Sequence, residues 1–357
     1  MTRLMATRSR RQFLADAAKA GAGLSVAGFL AACSGGAERQ SSGGGGDTQD
    51  VTFLLDITPY GKHAMFYASL ERGYWSDRGL SVTIQSAQGS ADNVSKIGAK
   101  AADFGFADAG SMIIGRGAGA NVKEIAMLHY QNLQSVISLE SNPIGDPADM
   151  VGKRIGAATG DAPRALLPSL AEINNFDPEA VDLINVEQLA KPAVLSQGRV
   201  DGTMDFFTGF PAYQQAAEEV GETVTSFLYS DFGLDIYNNG IIAHDDLLKS
   251  DPDLVRRFVE GFVEGVVWTV ENPDDATAIM IDAQPGLSQD VAREQLQIAI
   301  DHLMVDEVLD HGVGPMDEEK MGFTLDTISK SFDLGREVTV DEVYTNEFTP
   351  TGQIPQV

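Results

Sequence analysis

From Val51 onward the chain alternates short strand-like runs with helix-like stretches, and this alternation constrains the fold more than any other feature. Val51-Thr52-Phe53-Leu54-Leu55 is an apolar run of strand formers, followed by a loop holding Pro59 and Gly61 and a helix pattern over 63–72 that ends near Gly73. Residues 80–84 alternate as a strand, Gly89-Ser90-Ala91-Asp92 opens a helix, 104–107 is a strand and 109–115 starts a helix. Residues 123–128 and 135–139 continue as strands. Repeated strand–loop–helix units predict parallel sheets.

The pattern restarts at 149–156. Asp161 then caps a helix that has Pro163 in its first turn. Residues 181–186 read as a strand, 191–198 as a helix and 202–206 as a strand with an aromatic loop after it. A strand over 241–243 resumes the first half. Leu254, Phe258, Phe262, Val266 and Val270 recur every four residues as the core face of a helix that stops at Asn272-Pro273. The expectation is an α/β chain of two lobes, with 141–236 inserted between 51–140 and 237–357. Two crossings, over 138–142 and 231–237, form a two-segment hinge. Open parallel sheets take ligands beyond the carboxyl ends of their strands, so two such lobes face each other as a clamp.

Ahead of the alternation lies a targeting segment. Ser9-Arg10-Arg11-Gln12-Phe13-Leu14 resembles a twin-arginine export signal, and a short Ala/Gly-rich apolar stretch, 20–32, follows it. Leu30-Ala31-Ala32-Cys33 resembles a bacterial lipobox, in which cleavage precedes a lipid-bearing cysteine. Residues 1–32 are thus expected to be a signal peptide, and 33–50 a lipidated Cys33 with a Gly/Ser-rich flexible tether. Cys33 is the one cysteine, which excludes an internal disulfide and a thiolate metal cluster. With 52 Asp and Glu against 25 Lys and Arg, the net charge of −27 argues against nucleic acid as a partner. A solubilising surface and a saline habitat both account for such acidity.

The folded part resembles one family of solute-binding proteins. The blocks that carry the likeness are Asp56-x-x-Pro59-x-x-x-His63-x-x-Phe66-Tyr67-Ala68, Gly73-Tyr74-Trp75 and Gly79-Leu80-x-Val82-x-Ile84. Three later blocks join them: Asp149-Met150-Val151-Gly152-Lys153-Arg154-Ile155-Gly156, Gln197-Gly198-Arg199-Val200-Asp201-Gly202 and Trp268-Thr269-Val270-Glu271-Asn272-Pro273. The family comprises importer receptors for thiamine pyrimidine precursors, with relatives for taurine, alkanesulfonates and nitrate. The resemblance implies a type II periplasmic-binding-protein-like fold, an ABC permease and its ATPase as partners, a monomer, and no cofactor. The pyrimidine-binding branch carries an aromatic residue directly after the first Asp; here that position is Ile57, and Tyr60 is the ring in the same loop.

Candidate ligand contacts follow from the strand-end rule. Asp56, Tyr60 and His63 come after the first strand: a carboxylate accepts from an amino-heterocycle, a ring stacks on it, and His63 either contacts the ligand or orients its helix. Gln88 and Ser90 follow the second strand; Asp108 and Ser111 follow the third. Both serines sit at helix starts, as ligand donors or as plain caps. The second lobe offers Gly160, Asp161 and Arg164, then Asp205, Phe206 and Phe207. Asn238 lies at the second crossing, as a ligand contact or a turn former, with Asn239 beside it. The five histidines, His63, His129, His244, His302 and His311, make no close-spaced metal motif, and the cysteine-rich motif of the pyrimidine-making eukaryotic branch is absent from the sequence. The chain therefore reads as a binding protein and not as an enzyme.

Overall fold

A computed structural model describes residues 48–356. The export signal, Cys33 and most of the tether lie outside the described residues. Among the described residues ten strands follow in chain order: β1 Gln49–Leu55, β2 Leu80–Ser86, β3 Phe104–Asp108, β4 Val122–Met127, β5 Gln134–Leu139, β6 Arg154–Ala157, β7 Asp182–Asn185, β8 Gly202–Phe206, β9 Val224–Leu228 and β10 Asn239–His244. They form two five-stranded sheets, ordered β2-β1-β3-β10-β4 and β7-β6-β8-β5-β9. The two orders repeat one plan, and in each the fourth place is filled by the strand that arrives from the other lobe.

That strand explains a departure from the expected parallel sheets. β10 runs antiparallel to β3 and β4, and β5 runs antiparallel to β8 and β9. The remaining pairs β1/β2, β1/β3, β6/β7 and β6/β8 are parallel, joined by helical crossovers. β5 and β10 follow a crossing segment instead of a helix, so the constraint that makes crossover strands parallel does not act on them. Because β5 belongs to the second sheet, the first crossing occupies 128–133, ahead of the expected 138–142, and the second occupies 229–238. β9 is a strand that the apolar pattern did not reveal. Its burial alternates only weakly along Val224–Leu228.

The two crossings are bonded to each other. His129 N–H donates to Asn239 O at 2.9 Å, and Asn238 N–H donates to His129 O at 3.0 Å. Asn132 Nδ2 donates to Leu234 O at 2.7 Å, and Asn132 Oδ1 accepts from Asn238 Nδ2 at 2.8 Å. Hydrogen bonds thus tie the two crossing segments side by side.

The first lobe is the more heavily built. Helix Pro252–Glu271 buries its apolar stripe against β1, β3 and helix Ala64–Glu71. Phe258 stacks on Phe104 and Trp75, with ring centroids 3.9 and 5.2 Å away. Gly261 makes room for the indole, since a Cβ there would lie 2.4 Å from Trp75 Cδ1. Helix Gln289–Leu303 backs the cleft and touches both lobes: its Gln295 Oε1 accepts from Gly61 N–H at 2.9 Å, and its His302 meets the ring of Phe207.

Candidate functional site

The carboxyl ends of β1, β2, β6 and β8 and the start of β10 converge between the lobes. There they enclose a cavity lined by Asp56, Ile57, Lys62, Gly89, Ser90 and Asn239 from the first lobe. Asp161, Ala162, Pro163, Gln188, Asp205 and Phe206 line it from the second. Its volume is about 30 Å³. One water needs about 10–15 Å³ on that scale, so this conformation is closed and admits water but no heterocycle.

The loop after β1 folds back on Asp56. A short 3-10 turn, Gly61–His63, carries Lys62 and His63 under the strand end. Asp56 Oδ2 accepts from Lys62 Nζ at 2.6 Å and from Asn239 Nδ2 at 3.1 Å. Asp56 Oδ1 accepts from His63 Nε2 at 2.8 Å and from Ile57 N–H at 2.9 Å. Burial by itself would raise the Asp56 carboxyl. The Lys62 ammonium and the His63 ring outweigh it and hold the group well below the usual carboxylate range. Tyr60 N–H donates to His63 Nδ1 at 3.1 Å, which leaves the His63 proton on Nε2, facing Asp56. Burial lowers His63, with Asp56 opposing in part, so the ring is neutral near pH 7.

The second lobe presents a matching buried cation. Lys191 Nζ donates to Asp161 Oδ2, to Gln188 Oε1 at 2.7 Å and to Met204 O at 2.9 Å. Asp205 accepts from Gln188 Nε2 at 2.8 Å and from Tyr213 OH at 2.6 Å. Around the cavity the lobes approach through three contacts of note. The hydroxyls of Tyr60 and Thr208 share a hydrogen bond of 2.9 Å. Lys62 Nζ lies 4.3 Å from the centre of the Phe206 ring. At the rim Gly89 and Gly160 face each other with φ of +106° and +86°, and a Cβ on Gly89 would lie 2.3 Å from Gly160 O. Glycine is required there both for the backbone conformation and for the close approach.

Of the residues singled out from the sequence, Asp56, Ser90, Asp161, Asp205 and Phe206 line the cavity; Tyr60, His63 and Gly160 brace it. The others lie outside that lining. Asp108 caps helix Ala109–Gly117, its carboxylate accepting from Ser111 N–H at 2.8 Å. Ser111 faces a separate groove between that helix and helix Ser90–Gly98. Phe207 packs on Phe210 and His302. Gln88 is exposed and Arg164 is half-buried. Asn238 turns into the hinge while Asn239, one residue on along an extended backbone, turns into the cavity. Lys62, Lys191, Gln188 and Thr208 complete the site without having been singled out as contacts. Lys191, a lysine inside the apolar run Leu189-Ala190-Lys191-Pro192-Ala193-Val194-Leu195, was the readable signal among them. Among the described residues no helix is long and apolar enough to cross a membrane, and no group of three or more His, Cys, Asp or Glu is placed to hold a metal ion.

Residues 61–276 match the family described as "NMT1/THI5 like". The chain is similar to the formylaminopyrimidine-binding protein of Halalkalibacterium halodurans, 24% identical over 77% of this chain and 83% of that protein. It is also similar to the riboflavin-binding protein RibY of Chloroflexus aurantiacus, 25% identical over 85% and 87% of the two chains. A 4-amino-5-hydroxymethyl-2-methylpyrimidine phosphate synthase of Legionella pneumophila is 24% identical over 66% and 74%. Among solved structures, the alkanesulfonate-binding protein SsuA of Xanthomonas axonopodis pv. citri, bound to MOPS, superposes with a TM-score of 0.66 at 11% identity. That match covers 84% of this chain and 99% of the other, and establishes the shared two-lobed periplasmic-binding-protein fold.

Proposed function

The chain belongs to the NMT1/THI5-like family, and on that premise we propose that it is the solute receptor of an ABC importer, capturing a small flat heterocycle of the thiamine-pyrimidine-precursor kind. The observation that carries the reading is the cavity itself. It joins a ring, Phe206, to hydrogen-bonding groups from both lobes at the strand ends. The ligand enters with the lobes parted and is held when they close. Only stronger contact with the closed form drives that shift. The relatives named for a formylaminopyrimidine and for riboflavin point to the same ligand class. A sulfonate or nitrate suits the cavity less, because Asp56, Asp161 and Asp205 outnumber Lys62 and Lys191 there.

The protein returns its ligand chemically unchanged and hands it to a permease. It reaches the outer face of the membrane by the twin-arginine route and is tethered there by a lipid on Cys33. A thermal-shift screen of pyrimidines, riboflavin, alkanesulfonates and nitrate tests the ligand class, since a tight binder raises the melting temperature by mass action. Stabilisation by sulfonates or nitrate alone would remove the heterocycle reading. A product seen by mass spectrometry after incubation would make the protein an enzyme. Cys33→Ser should release the protein from the membrane fraction; unchanged membrane association would exclude the lipid anchor.

A further inference from the structure

His129 is a titratable side chain buried in the hinge itself. It belongs to the first crossing, and its backbone is bonded to Asn238 and Asn239 of the second. It is 2% exposed. Its ring lies between one phenyl ring from each lobe: Phe106 of β3, with centroids 5.5 Å apart, and Phe206 of β8, with centroids 5.0 Å apart. Among the described residues neither ring nitrogen has a hydrogen-bond partner. An imidazolium carries two N–H donors and a charge, and among the described residues this slot gives it no acceptor. The charged and titratable groups around it do not compensate. Lys62 on the turn after β1 opposes a second positive charge, as do His63 on that turn and His302 on helix Gln289–Leu303. Asp56 at the end of β1 favours the charge, but its carboxylate already accepts from four donors. Burial first, and then Lys62, hold His129 well below the ordinary histidine range.

The two rings that enclose His129 belong to different lobes. Phe106 and the backbone partners of His129 are in the first lobe or at its edge, whereas Phe206 is carried by the second. Parting the lobes draws Phe206 off one face of the imidazole and admits water, which accepts from a charged ring. We propose that His129 makes the clamp acid-sensitive: its imidazolium is incompatible with closed lobes and favours open ones, so that a held solute is released as the pH falls. The sign follows from linkage. The closed form keeps the ring neutral, and the open form takes up a proton near the ordinary value of about 6.5. Closure is therefore at full strength above that value and weakens as the pH falls through it, by about tenfold per pH unit. His63 is not the sensor, because its bond to Asp56 lies within the first lobe. His302 is the competing candidate: it is half-buried, shares a hydrogen bond with Gln131 and meets Phe207 of the second lobe. The acid response rests on the clamp reading of the cleft and on no particular solute.

Solution scattering of the protein without added ligand, between pH 8 and pH 5.5, tests it. The wild type is expected to expand reversibly, with an open-to-closed ratio about tenfold higher at pH 5.5 than at pH 8, while circular dichroism shows its secondary structure unchanged. His129→Phe fills the slot with a ring that takes no proton and should keep the pH 8 radius throughout. His302→Gln should expand as the wild type does. Melting curves verify that the variants fold; should His129→Phe fail, His129→Gln, which also carries no titrating ring, takes its place. A wild-type radius independent of pH, an expansion that persists without the His129 ring, or one lost in His302→Gln overturns the assignment. The ligand screen at pH 8 tests the receptor reading separately, so either can fail while the other stands.

Discussion

Lys62 is 1% exposed, and among the described residues its charge is balanced at contact distance by Asp56 alone. Breaking a buried pair by removing one member costs about 3–5 kcal/mol, because the other charge is stranded. Asp56→Asn is therefore expected to destabilise the protein by that amount in urea unfolding, and Asp56→Asn/Lys62→Met to recover most of it. A double variant no more stable than the single one would contradict the pairing. The depressed Asp56 carboxyl also sets an acid limit. Its contribution is present above the unfolded value of about 4 and is lost as the pH falls below it. Glu124 has the opposite sign. It is fully buried in β4, and neither carboxylate oxygen has a partner among the described residues. Burial, and then the charge of Asp108, raise it well above the usual range. The folded state therefore keeps a proton that the unfolded chain has released, and stability falls as the pH rises above about 4.5. Glu124→Gln should gain on the wild type by up to about 1.4 kcal/mol per pH unit above that point, until the folded value is reached. Unfolding curves at several pH values from 5 to 9 would reveal the divergence; parallel curves would mean that Glu124 finds a partner.

At the scale of elements, the turns after β2 and β6 decide how closely the lobes approach. Gly89 precedes helix Ser90–Gly98, and Gly160 precedes Asp161. Both have a positive φ, and the backbone of one lies where a side chain on the other would go. Gly89→Ala would introduce backbone strain of about 1–3 kcal/mol and a methyl group against Gly160 O. The expected result is a wedge: lobes held apart, a larger radius of gyration in solution scattering with ligand present, and weaker binding. A variant that closes and binds as the wild type does would show that the rim is not limiting.

For the whole molecule, closure depends on a few contacts that cross the cleft in front of a hinge bonded to itself. Tyr60 and Thr208 supply one hydroxyl–hydroxyl bond between lobes. Such a bond is worth about 0.5–1.5 kcal/mol net. Thr208→Val conserves shape and should shift the population toward the open form, weakening ligand affinity by about two- to tenfold with little change in the melting temperature of the ligand-free protein. Calorimetry and scattering on the same samples would separate this from local damage. An unchanged dissociation constant would mean that closure does not depend on this bond.

The sequence by itself determined the elements and their grouping. Strand runs such as Val51–Leu55 and the stripe from Leu254 to Val270 are local periodicities, set by which residues can bury one face. The order of those elements was enough to indicate two α/β lobes with a double crossing. It also placed Asp56, Asp161 and Asp205 at strand ends, where open sheets meet ligands. Tertiary structure decided what local pattern does not encode. The direction of β5 and β10 depends on a chain that changes lobe, so their neighbours in sequence carry no sign of it. The choice of Asn239 over Asn238 hangs on one residue of register across a hinge bonded to itself. Lys62 reads as a surface charge in one dimension, and Lys191, although it interrupts an apolar run, shows no partner there, since a lysine is buried only where the fold brings a carboxylate to receive it. Lys191 and Asp161 are thirty positions apart, and nothing between them announces the pair.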